Sequence, residues 1–316
     1  MYTYKNILKQ SLNIAIKNPL LWVIGAFAAI IGATGEFELV IGMSSLSYQS
    51  TVLPFWAGLV ESGILSVEGI RASWEAITVH PFTFIAALLL LMSLMAIAVF
   101  FTWASFTSLI ALIKQSVAIS TGKPLDFKEL LRKSTGSFWK VFGLHLALRI
   151  AVFILMFILV AVGALINKWF ILFFILFNTL ALVAIVLSLV NRYAMCGVAL
   201  KDWGFKESII NGWELVKRHW LITIETAVIL FFTYWTIIGF TGYVLLLTGS
   251  YISNLALIPS LLNFTLIGIL VSSTVVIMFS HVVLTIFYWA CWAIVFELIV
   301  DAKTNPINSW LDHNKK

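Results

Sequence analysis

Residues 138–169 read FWKVFGLHLALRIAVFILMFILVAVGALINKW, and between Lys140 and Lys168 the only ionisable side chains are His145 and Arg149. An α-helix rises 1.5 Å per residue, so about 20 apolar residues cross the roughly 30 Å hydrocarbon layer of a bilayer. This stretch is long enough, and a helix satisfies all its own backbone hydrogen bonds on the way. It therefore reads as a transmembrane helix over residues 141–166.

Five other runs have the same character: residues 19–34, 81–119, 169–200, 221–247 and 262–300. The whole chain is 61% hydrophobic and 11% charged, against roughly 25% charged in an ordinary soluble domain. The runs use nearly all of the 316 residues, which leaves no room for a separate soluble catalytic domain. The expected fold is an all-α membrane protein of six transmembrane helices in one polytopic domain, 1–316. The run at 19–34 is the shortest and is followed by Gly35, Glu36 and Glu38. Its rival reading is a cleaved signal peptide, against which stands the helix-like segment before it.

Lysine and arginine are enriched in cytoplasmic loops, so their distribution orients the chain. Lys5, Lys9 and Lys17 precede the first run. Lys114, Lys123, Lys128, Arg132, Lys133 and Lys140 fall between the second and third, and Arg192, Lys201, Lys206, Lys217 and Arg218 between the fourth and fifth. Lys303, Lys315 and Lys316 follow the last, giving 17 cations on one side against Arg71 and Lys168 on the other. Both termini are expected in the cytoplasm of a multi-pass cell-membrane protein. Trp139 and Trp220 at the inner ends and Trp169 at an outer end suit interfacial anchoring.

The segments on the cation-rich side share a pattern. Tyr4-Lys5, Phe127-Lys128 and Phe205-Lys206 each open with an aromatic and a lysine. Four residues after the aromatic stand Leu8, Leu131 and Ile209, eleven after it Ala15, Phe138 and Val216, and thirteen after it Lys17, Lys140 and Arg218. Offsets of 0, 4 and 11 share one helical face, so each segment is expected to be an amphipathic interfacial helix of about 14 residues. Asp126 with Glu129 resembles a capping box, and Thr3 and Gly204 are acceptable caps for the other two. The expected repeat is an interfacial helix, a span, an outer turn and a span, in candidate units 4–120, 127–200 and 205–302. The alternative is that any basic loop of a membrane protein matches such a pattern in part.

The outer turns differ: a short one at Asn167-Lys168, one of about 14 uncharged residues in the third unit, and a long loop at 36–80 in the first. In that loop Glu61, Glu68 and Glu75, with Ile64, Val67, Ile70, Trp74 and Ile77, form the pattern of an amphipathic helix with an acidic edge. It reads as a solvated face or as a site for a cation or partner.

Ionisable groups inside spans are costly and are candidate functional residues. Arg149 lies nine residues past Lys140, with His145 one turn before it; Glu225 lies five residues past Trp220. Arg149 and Glu225 could pair across spans three and five with His145 beside them, or each could snorkel to the inner headgroups. His281, next to Ser280 and near Ser272, Ser273 and Thr274, and Asn178 in span four would either line a polar cavity or bond between packed helices.

No HExxH, GxSxG, Walker or Rossmann pattern is present. All four aspartates, Asp126, Asp202, Asp301 and Asp312, lie in cytoplasmic segments on this topology. An intramembrane aspartyl dyad is thereby excluded. Cys196 and Cys291 form no CxxC pair, so neither a disulfide framework nor a structural metal is expected. No cofactor is expected.

The stretches KNILKQSLNIAIKNPLLWVIG (5–25) and RYAMCGVALKDWGFKESIINGWELVKRHW (192–220) resemble six-span bacterial and archaeal membrane proteins related to the membrane domain found beside some glycerophosphodiester phosphodiesterases. The resemblance implies six spans with amphipathic cytoplasmic helices and little about activity. The catalytic carboxylates and histidines of the phosphodiesterase have no counterpart in this chain. The expected function is that of a non-enzymatic scaffold or accessory protein of the cell envelope. Its partners would be the lipid bilayer, anionic lipid headgroups at the cytoplasmic face and a membrane-protein partner, with no nucleic acid. The alternative is a small-solute, ion or lipid transporter with a polar cavity near Arg149, Glu225 and His281. Against it, the spans lack internal proline.

Overall fold

The computed structural model describes residues 4–31, 66, 68–69, 71, 74–75, 79, 81–166, 170–255 and 259–304. Its helices are α1 (Tyr4–Lys17), α2 (Pro19–Ile31), α3 (Pro81–Ser120), α4 (Phe127–Thr135), α5 (Phe138–Ile166), α6 (Phe170–Lys201), α7 (Phe205–Arg218), α8 (Trp220–Leu255) and α9 (Pro259–Thr304). Proline opens α2, α3 and α9, the position at which its fixed φ and missing N–H cost nothing. Five helices, α3, α5, α6, α8 and α9, are long and apolar enough to cross a membrane, and the α1–α2 pair makes up to six.

The chain bends by 99° between α1 and α2. Two side chains fix that bend by satisfying carbonyls orphaned at the end of α1. Asn18 Nδ2 donates to Ile14 O at 2.9 Å and Trp22 Nε1 donates to Ala15 O at 2.8 Å. The end of α3 is a Schellman turn: Gly122 has φ 73°, Gly122 N–H donates to Ile119 O at 3.1 Å and Lys123 N–H to Ala118 O at 2.8 Å. At the end of α6 Asp202 takes the left-handed conformation, φ 54°.

Buried side chains are concentrated at the end of the bundle that carries α1, α4 and α7. There α3, α6 and α9 pack on one another, and Tyr193, Trp289, Trp292 and Phe296 are completely enclosed. The Tyr193 and Trp292 rings meet edge to face at 5.5 Å. Toward the opposite end the same helices carry large apolar side chains on their surfaces, such as Phe82, Ile171 and Met278. In water that surface would be untenable; in hydrocarbon it is the ordinary exterior.

The short helices are placed cyclically. α4 lies against α3, α7 against α6, and α1 against α9, so the first helix closes a ring on the last. Side chains tie the ring. Gln115 on α3 donates to Leu125 O at 3.2 Å and accepts from Leu125 N–H at 3.1 Å. Lys114 Nζ caps the end of α4 through Lys133 O at 2.8 Å, and Lys201 on α6 pairs with Glu297 on α9 at 3.0 Å.

The structure corrects the sequence reading in four places. The apolar face of the short helices is rotated: offset 11 is buried as expected (Ala15, Phe138 and Val216), but offset 4 and, in α4 and α7, offset 0 are not, and the buried positions in α1 are Ile7, Ser11, Ile14 and Ala15, and in α7 Ser208, Gly212, Leu215 and Val216. These are offsets 3, 7, 10 and 11 in both, and α4 repeats the first two with Leu130 and Ser134. The opening aromatics Phe127 and Phe205 stay exposed, because a small residue at offset 7, not a large one at offset 0, admits the neighbouring helix.

Secondly, α4 has 9 residues and not about 14. It ends at Thr135 before Gly136, so Phe138 and Lys140 belong to α5. Thirdly, Asp126 makes no capping hydrogen bond. Glu129 instead pairs with Lys133 at 2.7 Å, which holds its carboxyl below the usual range. At α7 it is Glu207 that accepts from Gly204 N–H, at 3.1 Å. Thr3 lies outside the described residues. Fourthly, the outer turn of the third hairpin is far shorter than 14 residues, since α8 runs to Leu255 and α9 begins at Pro259. Of the acidic outer helix, Glu68, Trp74 and Glu75 are helical and exposed; Glu61, Ile64, Val67, Ile70 and Ile77 lie outside the described residues.

Candidate functional site

Two intramembrane candidates, His145 and Arg149, stand together on one face of α5. Arg149 Nε donates to His145 Nε2 at 3.4 Å, which requires that nitrogen to be unprotonated. The His145 ring is held edge-on by Phe106 of α3, with 5.3 Å between ring centres. Both residues line a cleft of about 280 Å³ between α2, α3 and α5. Its walls are chiefly apolar, including Ile30, Phe101, Phe106 and Phe142, and its polar side is completed by Thr102 and Ser105. Thr102 is satisfied within its own helix, donating to Ala98 O at 2.8 Å. Ser105 is 1% exposed and its hydroxyl has no hydrogen-bond partner among the described residues.

His281 belongs to a different place. Its Nδ1 lies 2.8 Å from the Tyr234 hydroxyl of α8 and its Nε2 lies 3.3 Å from Ala29 O of α2. A neutral ring protonated on Nε2 satisfies both contacts, accepting from tyrosine and donating to the carbonyl. His281 thus links α8, α9 and α2 at the rim of the packed core, as a bonded residue between helices. Tyr234→Phe removes the donor and leaves Nδ1 unsatisfied. We expect it to lower the stability of the full chain by about 1 kcal/mol in detergent-titrated unfolding, whereas Thr233→Val one position away, bonded only to its own helix through Ile229 O, is expected to change it by less.

The other candidates separate. Asn178 is exposed on α6 and donates to Phe174 O of its own helix at 2.8 Å. Among the described residues that bond stays within its own helix, and back-bonding within one helix is the cheapest way to carry an amide into lipid. Glu225 is half-buried on α8, which packs along α9 and α7. α5, which carries Arg149, packs along α6, α3 and α7. The cleft at Arg149 has neither Glu225 nor His281 in its walls.

No family model, curated protein or solved structure matches the chain. The site must be read from its own chemistry.

Three residues with distinctive surroundings were not singled out from sequence. Arg192, counted there among the loop cations, is a helical residue of α6, 5% exposed, with its guanidinium carbon 4.5 Å from the Trp289 ring centre and 4.9 Å from that of Tyr288. Its position inside the apolar run 169–200 was the available signal. Tyr234 carried no signal, since a tyrosine in an apolar run is ordinary. Ser105, in the run TWASFTS (102–108), reads as one small residue among several. Among the described residues, no group of three His, Cys, Asp or Glu side chains could hold a metal ion, and Cys196 and Cys291 are free thiols in the core.

Proposed function

We propose that the chain is a six-span protein with both termini in the cytoplasm, built from three units, 4–120, 127–200 and 205–302. In this reading it serves as a non-catalytic scaffold or accessory component of the cell envelope and not as a conduit. The observation that carries the functional part is the closed aromatic plug of Tyr193, Trp289, Trp292 and Phe296 where α3, α6 and α9 meet. A transporter needs a polar site that alternates between two aqueous faces at midplane. Here the cleft at Arg149 has neither Glu225 nor His281 among its described walls, and the intramembrane histidine of α9 is engaged at both ring nitrogens.

Two features support the triplication: the cyclic docking of α1, α4 and α7 on α9, α3 and α6, and the recurrence of buried offsets 3 and 7 in all three short helices. The cation asymmetry supports the orientation. The exposed lysines Lys5, Lys9, Lys128, Lys206 and Lys217 of these helices would then face anionic inner headgroups. The resemblance to the phosphodiesterase-associated membrane domain bears on architecture alone.

The test uses cysteine accessibility, for which the buried native thiols form an unreactive background. Lys217→Cys is expected to react with a membrane-impermeant maleimide only after the membrane is opened, and His281→Cys from neither side. Labelling of Lys217→Cys in intact cells would reverse the orientation. Labelling of His281→Cys from an aqueous face would replace the scaffold with a conduit.

A further inference from the structure

We propose that the aromatic and lysine motif opening the short helices is a lipid contact: its apolar stripe enters the acyl layer of the leaflet at that end of the bundle, and its lysine holds the phosphate of an anionic phospholipid. On α7 the stripe is Phe205, Ile209 and Trp213, and the cations are Lys206 and Lys217. The inference rests on the membrane-scaffold reading and adds to it which side chains insert and which class of lipid they select.

The first observation is the order of side chains around α7. At about 100° per residue, the buried Ser208, Gly212, Leu215 and Val216 are followed around the axis by Phe205, Ile209 and Trp213, one stripe at offsets 0, 4 and 8. All three are exposed, Trp213 by 52%. Lys206 and Lys217 come next, and Glu214 and Glu207 after them. Both lysines are exposed and enter no ion pair among the described residues. Apolar stripe, cations and carboxylates thus succeed one another as an anionic interface requires, with apolar side chains in hydrocarbon, ammonium groups at the phosphates and carboxylates in water.

The second is repetition. α4 has Phe127 at offset 0, Leu131 at 4, Lys128 at 1 and Glu129 at 2, and α1 has Leu8 at 4, Leu12 at 8, Lys5 at 1 and Asn6 at 2. The order around the axis is that of α7, and Phe127 and Leu12 are exposed. Packing against the bundle accounts for the small and apolar residues at offsets 3 and 7. It gives no reason for an exposed aromatic beside a lysine, whereas a headgroup layer does.

The third is depth. Gly212 stands against Val190 and Ala194 of α6, eleven and seven residues before that helix ends at Lys201, or about 10–16 Å along it. Lys201 pairs with Glu297 at this end of the bundle, so Trp213, beside Gly212, stands on the membrane side of that ion pair. α8 then opens with exposed Trp220 and Leu221, so exposed apolar side chains continue from α7 into the span.

The test attaches bimane to the full chain at Ile209→Cys on the stripe or at Glu214→Cys on the carboxylate side, the native thiols being buried. Each labelled chain is placed in nanodiscs of phosphatidylcholine and phosphatidylglycerol, one or the other with brominated acyl chains. The label at Ile209→Cys is expected to be quenched by both brominated lipids and, at equal mole fraction, more by phosphatidylglycerol. The label at Glu214→Cys is expected to be quenched by aqueous iodide and by neither lipid. Lys206→Gln and Lys217→Gln should each lower the phosphatidylglycerol preference by up to about fivefold, the effect of one lysine at an anionic surface, and added salt should lower it in the unsubstituted background. Equal quenching by the two lipids overturns the proposal. So does an Ile209→Cys label reached by iodide, which puts the stripe in water, or one reached by no quencher, which puts it under a protein partner or a second copy. Reversed maleimide labelling of Lys217→Cys would overturn the orientation and leave the quenching as it is, so the two readings fail separately.

Discussion

Arg192→Ala is expected to destabilise the full chain by about 3–5 kcal/mol, measured by detergent-titrated unfolding. Three losses add in the same direction. The guanidinium lies over Tyr288 and Trp289 at 4.9 and 4.5 Å, and each such contact is worth up to about 2 kcal/mol when desolvated. The side chain is 5% exposed, so truncation leaves a cavity between α6 and α9 whose rigid aromatic walls cannot collapse. The residue also takes part in at least one further interaction, which truncation is expected to weaken.

Conservative variants separate these causes. Arg192→Lys keeps the charge and loses the flat stacked plane, so a smaller loss of about 1–2 kcal/mol is expected. Arg192→Met fills the volume without a charge and should fall between lysine and alanine. A loss under 1 kcal/mol for alanine would mean that the buried cation is not a structural clamp, and that α6 and α9 are held by the aromatic plug alone.

What sequence could and could not reveal follows from the range of each signal. The spans are legible because solvation by lipid acts on every residue of a run, so 141–166 stands out without knowledge of its neighbours. The short cation-rich helices are legible in where they begin, since an aromatic and a lysine open each of them, but the cation thirteen residues on ends only α1 and α7 and falls in α5 for the middle one. Their buried face is not. The face is chosen by how closely a partner helix can approach, and that depends on Ser11, Ser134 and Gly212, small residues with no hydrophobic signature of their own. Arg192 illustrates the limit of counting charges: the sum orients the chain, but one member of the sum is enclosed by rings contributed from almost a hundred residues away. Tyr234 and His281 meet across 47 residues for the same reason. Only packing brings them together, and nothing local to either residue encodes it. Within the candidate site, His145 and Arg149 were legible as one helix turn, and the cleft they line was not, because α2 and α3 supply its other walls.

Gly212→Leu is expected to cost about 3 kcal/mol, the upper part of the usual range for overpacking. A Cβ at this position would lie 2.8 Å from the backbone oxygen of Val190 and 3.3 Å from the backbone nitrogen of Ala194. Neither atom can rotate away, so α7 must move off α6, withdrawing Leu215 and Val216 from the core as it goes. Gly212→Ala meets the same backbone oxygen with one atom and should show a smaller loss in the same direction, even though alanine favours the helix itself by about 1 kcal/mol. Propensity and packing thus have opposite signs here, and a net loss for alanine identifies close approach as the stronger effect. Ser134 occupies the corresponding place on α4 against α3, and Ser11 on α1 against α9. If the three units are copies of one design, Ser11→Leu and Ser134→Leu should each detach a short helix in the same manner. A loss confined to Gly212 would make the contact between α6 and α7 a local feature and remove the main support for threefold repetition.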